Sequence, residues 1–517
     1  MRSHSHSVEA TGEPAPSVIC VLRRMGIVAM SLVAVAACGS GTTTTSTTST
    51  IAASKAATPA VGGSISWKKC DGYDLDRLKC ARFSVPYDYK NPSVGQFSLK
   101  IAMRPASDPK RRIGSLLVNP GGPGFGGSYL AENAGSYFSV NLLDRFDIVA
   151  WDPRGTGDST PFVDCVSDYD KYFTTDPTPE TDAQREALIA ASKTFSDECE
   201  KNSGEILPYI STNNTVRDMD MIRAALGETK ITYFGFSYGS ELGATWATMF
   251  PTTVRAAVLD GAADPNADYM EGGLQQAAGF EKELNVFLSR CSADPDCAFH
   301  NNGKAEEAFD ALMTKVDKQP IVVSKNRAPV NQAVAFTAVS QAMYSSTMWN
   351  QLENALNDAQ KGDGSGLLEL YDSYYQRQAD GTYGNELEAF NAIYCLDDPG
   401  PTTVEQTDEF LPAFKKAAPR MWPGFTGGYG CVFWPAKPDP RIKITGKGAG
   451  PIVVVGTTGD AATPLASSRK MAAALEDGRL LVVTANRHTG YGENNCVTES
   501  VDNYLFTTKV TFREKAC

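Results

Sequence analysis

Histidine is nearly absent, with four in 517 residues, at positions 4, 6, 300 and 488. A metal centre built on imidazoles has almost no ligands to draw on, and no C-x-x-C pair offers thiolates instead, so neither a metal nor another cofactor is expected. Positive charge is also in deficit: 48 Lys and Arg face 60 Asp and Glu, a net charge of −12, which argues against nucleic acid as a partner. No internal repeat is evident, so solenoid and array architectures are set aside.

The amino-terminal region lacks what a fold needs. Arg23 and Arg24 precede the apolar run Met25 to Ala37, whose 13 residues fall short of the ~20 required to span a bilayer. The run closes on Val35-Ala36-Ala37-Cys38, small residues followed by a cysteine, which predicts a lipoprotein signal peptide over residues 1–37 with lipid attached to Cys38; a plain secretory signal is the alternative. Residues 38–64 are Thr, Ser, Ala and Gly with almost no charge or bulk, a composition that cannot bury a core and predicts a flexible tether to the outer face of the cell membrane. Of the 12 cysteines, Cys20 and Cys38 belong to this region. The other ten fall in successive close pairs, and in an exported chain they predict disulfides between neighbours in order.

Beyond the tether, turns punctuate short apolar runs from Trp67 to Arg104, which suits antiparallel strands. Buried-strand runs then follow at 114–118, 146–151, 231–236, 256–259, 452–455 and 480–483, with helical patterns at 215–226, 240–250 and 465–476. Strands alternating with helices predict a mostly parallel, doubly wound α/β sheet whose ligands gather at the carboxyl ends of the strands. Between Pro265 and about Lys447 the pattern turns helical, for example at 331–360 and 366–378, with no clear buried strand. The resulting division is a core over 65–265 and 448–517, interrupted by a helical lid over 266–447; a separate helical domain is the alternative for that segment.

One run carries the chemistry. Ile231 to Phe236 is apolar, β-branched and aromatic, and it ends in Gly235-Phe236-Ser237-Tyr238-Gly239 before a helical stretch from Glu241. Strand, sharp G-x-S-x-G turn and helix together expose a serine hydroxyl at the tip of a strained turn, and glycines at 235 and 239 let strand and helix approach. A serine hydroxyl needs an adjacent base held by a carboxylate. Outside the leader the candidates are His300, in the loop Cys297 to Gly303 of the lid, and His488, in the last strand-to-helix turn; His488 is the expected base. Asp460, just past the strand 452–455, is the expected orienting acid, with Asp260 at the end of 256–259 as runner-up. Oxyanion donors are expected from the backbone N–H of Tyr238 and one from the glycine turn Gly121-Gly122.

The pieces N-P-G-G-P-G (119–124), D-P-R-G-T-G-x-S (152–159), G-F-S-Y-G-S (235–240), D-G-A-A-D-P (260–265), A-I-Y-C-L-D (392–397) and G-D-A-A-T-P (459–464), with the terminal histidine turn, Cys496 and Cys517, resemble the α/β-hydrolase peptidases of the proline iminopeptidase and tripeptidyl aminopeptidase group, including exported actinobacterial serine hydrolases. The order Ser237, Asp460, His488 is the order of that fold. The resemblance implies an aminopeptidase working through an acyl-enzyme on peptides with a free N-terminus, whose ammonium meets lid carboxylates; Asp397 is the candidate among them. Arg487 departs from the group, which usually has Gly before this histidine. A carboxylesterase or lipase-like acylhydrolase would use the same residues, and a non-catalytic surface lipoprotein would keep the same pocket.

Overall fold

A computed structural model describes residues 63–70, 77–426 and 428–517; the predicted signal peptide, Cys38 and nearly all of the predicted tether lie outside the described residues. Ten strands form one sheet: β1 (Lys68–Lys69), β2 (Lys79–Pro86), β3 (Gln96–Arg104), β4 (Gly114–Asn119), β5 (Phe146–Trp151), β6 (Ile231–Phe236), β7 (Val254–Asp260), β8 (Ile452–Thr457), β9 (Gly478–Val483) and β10 (Glu514–Ala516). Their order is β1-β2-β3-β5-β4-β6-β7-β8-β9-β10. The pairs from β1 to β5 are antiparallel, and every pair from β5 across to β10 is parallel.

Alternation along the parallel strands builds two cores. Leu117, Val149, Tyr233, Leu259 and Val454 face one way, onto the helices that carry Val216, Leu242 and Met471. Leu116, Ile148, Phe234, Val258 and Val453 face the other way, onto Leu142, Val501 and Tyr504. Strands covered on both faces need no polar alternation, which is why they read as unbroken apolar runs. β7 and β8 are neighbours in the sheet, yet 191 positions separate their ends (260 and 452), and that interval is helical, starting with Tyr269–Ala293. It has a third apolar core of its own around Leu284, Phe309, Leu356 and Tyr371.

The cysteines pair with their neighbours in order: Cys70–Cys80, Cys165–Cys199, Cys291–Cys297, Cys395–Cys431 and Cys496–Cys517. One sequence expectation is corrected. The stretch 331–360 is not one helix but Gln332–Met343 and Trp349–Gln360, separated by a kinked turn in which Ser345 is extended (φ −160°). Elements that had not been anticipated include the helices Asp182–Ser203 and Asn495–Thr507 and the edge strand β10.

The D-P-R-G segment has a structural task. Arg154 is fully buried and donates to both carboxylate oxygens of Asp218 (2.8 and 2.5 Å) and to the carbonyls of Pro86, Tyr87 and Tyr209, tying β2 and its turn to the helix Thr212–Ala225. Arg154→Ala is expected to destabilise the protein by about 3–5 kcal/mol in urea unfolding, because Asp218 is left as an uncompensated buried charge. The double change Arg154→Met, Asp218→Leu is expected to recover only part of that loss, because the Pro86, Tyr87 and Tyr209 carbonyls lose their donor.

Candidate active site

β6 ends at Phe236, and the next residue turns the chain sharply: Ser237 has φ 53° and ψ −124°, and the helix Tyr238–Met249 starts immediately after it. A non-glycine residue held at positive φ is strained and persists only where its surroundings over-determine it. Here they do. A Cβ on Gly235 would lie 2.1 Å from the Gly239 carbonyl oxygen, one on Gly239 would lie 2.8 Å from the Asn119 carbonyl oxygen, and the Ser237 N–H donates to the Asp260 carbonyl at 2.7 Å. The serine thus stands at the carboxyl end of the central strands, on the wall of a cavity of about 850 Å³ that Gly122, Tyr238, Tyr344 and Thr463 also line.

Asp460 and His488 come together. The ring Nδ1 of His488 lies 2.8 and 2.9 Å from the two carboxylate oxygens of Asp460. An ionised carboxylate only accepts, so it fixes the ring proton on Nδ1 and leaves the Nε2 lone pair free to act as a base; Nε2 is buried and has no hydrogen-bond partner. Asp460 is itself held by the Thr463 and Thr489 N–H groups and the Thr463 hydroxyl, which also lies 3.3 Å from His488 Nδ1. The Ser237 and His488 segments share Asp260-Gly261 as a neighbour: the Ser237 N–H bonds the Asp260 carbonyl, and a Cβ on Gly261 would sit 3.0 Å from His488 Cε1. Burial by itself would lower the His488 pKa, but the charge and hydrogen bond of Asp460, with the charge of Asp260, overcome it and raise the pKa above the ordinary 6.5. A histidine serving as a base must be neutral, so activity that depends on His488 is expected to fall on acidification with a midpoint in kcat/KM above 6.5, measured as a pH–rate profile.

Asp260 does not reach the imidazole as its hydrogen-bonded acid. Its carboxylate accepts the N–H groups of Gly490 and Tyr491, each at 2.8 Å. His300 sits apart in its loop, with Nδ1 on the Cys291 carbonyl at 3.0 Å. In the glycine turn, Gly121 has φ 107°, and a Cβ there would lie 2.8 Å from Ser237 Cβ, so only glycine fits; its N–H donates to Asn119 Oδ1. Of the two N–H groups in that turn, the one on Gly121 is thereby already taken. Asp397 lines the cavity, but its oxygens are taken by the N–H and hydroxyl of Thr212, whose hydroxyl also bonds the Tyr238 phenol.

Sequence reasoning missed several partners. The helical insert grips the base turn directly: the Tyr344 carbonyl accepts the His488 N–H (2.8 Å), Ser346 donates to Asn486, Ser345 bridges Arg487, and Glu283 accepts from the Asn486 side chain (2.7 Å). The Tyr344 ring meets the imidazole edge-on at 5.6 Å. The side chain of Arg487 turns to Glu493 instead of the base. Glu241, one helical turn beyond Ser237, lies 3.4 Å from Arg441, which also holds Asp398 at 2.6 Å, and all three line the cavity. Thr463 could have been found from its place three residues after Asp460 in G-D-A-A-T-P, the spacing of a side-chain-to-backbone turn; no sequence signal marks Tyr344.

The alpha/beta hydrolase fold family profile matches residues 114–495. Among curated proteins, the chain is similar to serine protease Hip1 of Mycobacterium tuberculosis, 34% identical over 475 residues, covering 87% of this chain and 90% of that one. It is similar to carboxylesterase B of the same organism, 34% identical over 467 residues, covering 86% and 88%. It is also similar to the tripeptidyl aminopeptidase of Streptomyces lividans, 30% identical over 486 residues, covering 90% and 88%.

Proposed function

Since the chain belongs to the α/β-hydrolase fold family and is a serine hydrolase, we propose that it is an exported aminopeptidase whose nucleophile, base and orienting acid are Ser237, His488 and Asp460. The observation that carries this reading is the strained Ser237 at the cavity wall, joined through Asp260-Gly261 to the turn of a histidine whose Nδ1 is committed to Asp460 and whose Nε2 has no partner. In the proposed cycle His488 Nε2 takes the Ser237 proton as Oγ attacks the scissile carbonyl. The N–H groups of Tyr238 and Gly122 hold the resulting oxyanion, and the imidazolium gives its proton to the leaving amine. Water then repeats the steps on the acyl-enzyme, releasing acid and restoring the serine. Glu241 and Asp398, two carboxylates that share the guanidinium of Arg441 at the cavity wall, favour a substrate with a free ammonium.

An ester substrate is the second reading, favoured by the equal identity to carboxylesterase B. Parallel assays on free-amino tripeptide anilides, their N-blocked counterparts and short acyl esters separate the two. The free-amino anilides are expected to be cleaved fastest; turnover of esters alone would remove the peptidase reading. Export and lipid anchoring rest on residues 23–38 and suit the five disulfides. Cys38→Ala is expected to move the protein from the membrane fraction to the medium, read by fractionation and palmitate labelling.

A further inference from the structure

The geometry points to Asp260 as a positioning residue for the base: a second, buried carboxylate that locks the His488 turn to the backbone of the nucleophile and lends its charge to the imidazolium. The inference rests on the proposed role of His488 and adds a residue that does not touch substrate. Asp260 ends β7, between the strand that leads to Ser237 and the strand that leads to Asp460. Its carbonyl accepts the Ser237 N–H at 2.7 Å, while its carboxylate accepts the N–H groups of Gly490 and Tyr491 at 2.8 Å each, two and three residues past the histidine. One residue thus fixes the nucleophile with its backbone and the base turn with its side chain.

The turn needs such a hold. Thr489, directly after the histidine, has φ 66°, a conformation a β-branched residue adopts only under constraint. Gly261 packs so close beneath it that a Cβ would sit 3.0 Å from both His488 Cε1 and Thr489 Cγ2. Asp260 is fully buried, and the donors on its oxygens are neutral N–H groups, with no Lys or Arg among them. A lone buried carboxylate is costly, and two backbone N–H groups could be met by neutral carbonyl oxygens at lower cost. What the carboxylate adds is charge beside an imidazole.

The groups around this pair are few. Asp460 reaches it from the turn after β8, Arg487 and Tyr491 flank the histidine on its own turn, and Tyr344 and Glu283 come from the helical insert. Burial pushes the Asp260 carboxyl up to about 6; the Tyr491 and Gly490 bonds and the charge of His488 pull it back, and Asp460 opposes them. Above that pH Asp260 is anionic and raises the His488 pKa. Removing the charge therefore lowers the imidazole pKa and moves the acid limb of activity to lower pH, an effect separate from the one backbone hydrogen bond that an amide cannot accept.

The test is Asp260→Asn, followed by kcat and KM on a free-amino peptide anilide across pH and, independently of substrate, by the rate at which a fluorophosphonate labels Ser237. Loss of one partner around a held catalytic group gives an expected fall of about 10- to 100-fold in kcat. KM should hold, the labelling rate should fall in the same ratio, and the acid limb should shift downward. Unchanged rates, or a loss with the acid limb unmoved and a lowered melting temperature, would overturn the proposal. A wild-type protein that fails to label at all would instead refute the role of Ser237. If Asp260→Asn does not fold, the wild-type imidazole titration followed by 15N NMR, assigned with His300→Gln, decides: a second inflection near pH 6 in the His488 resonances is expected, and a single-proton curve overturns the proposal.

Discussion

Ser237→Ala is expected to lower kcat by roughly 10^6 and abolish fluorophosphonate labelling while leaving KM and melting temperature unchanged; such a loss corresponds to about 8 kcal/mol of transition-state stabilisation. The size follows from the absence of a substitute. The nearest alternative hydroxyl in the elbow, Ser240, is buried in the helix, and Thr463 is already committed to Asp460 and His488. Alanine fits the same backbone, since it brings no atom that serine lacks. The residual rate should reflect only the oxyanion donors and substrate positioning, on the order of 10^3 to 10^4 above the uncatalysed reaction. Retention of most of the wild-type rate would move the nucleophile elsewhere.

That this much of the site could be read from the chain has a physical cause. β4, β5 and β6 are covered on both faces, so they appear as continuous apolar runs, and each ends in a turn whose glycines are required by contact. The two acids were harder to separate. Asp260 and Asp460 both stand at or just past the ends of buried parallel strands and both fit the order Ser, Asp, His, so the sequence could prefer Asp460 only by its place; the distances put Asp460 at the ring and Asp260 behind the turn. The break in 331–360 carries no Gly or Pro. It exists because Ser345 goes extended to bridge Arg487, some 140 positions away, a tertiary contact overriding local propensity. The helix Asp182–Ser203 buries serines among its apolar residues, which blurs its periodicity, although Thr181 and Gln184 form a capping box that announces its start. β10 has three exposed residues and is held by pairing with β9 and by Cys496–Cys517, so it has no pattern to find.

The contacts between the insert and the base turn change what the insert is for. A cover that only restricted access would touch the rim of the cavity. Here Tyr344 both lines the cavity and holds the His488 N–H, so an occupant that displaces the Tyr344 segment also displaces the base. Binding and chemistry therefore share one strut, and substrates that fill the cavity without disturbing residues 344–346 are expected to be turned over fastest.

Asp460→Asn is expected to reduce kcat by about 10^4 without unfolding the protein. The amide oxygen can still accept the Thr463 N–H, now 2.8 Å from Oδ1, so the turn after β8 keeps its shape. The amide nitrogen, however, takes the place of Oδ2 and presents a donor 2.9 Å from His488 Nδ1, where the carboxylate offered a second acceptor. The ring then takes the tautomer with its proton on Nε2, the atom that must receive the serine proton, and the imidazolium loses its largest stabilising partner. The Thr463 hydroxyl, 3.3 Å from Nδ1, can accept in place of the carboxylate but carries no charge. Asp460→Asn, Thr463→Val should for that reason be slower still than the single variant. The contrast with Asp260→Asn, about 10- to 100-fold, separates the acid that orients the ring from the one that holds its turn; equal losses at the two positions would show that the ring has no preferred acid.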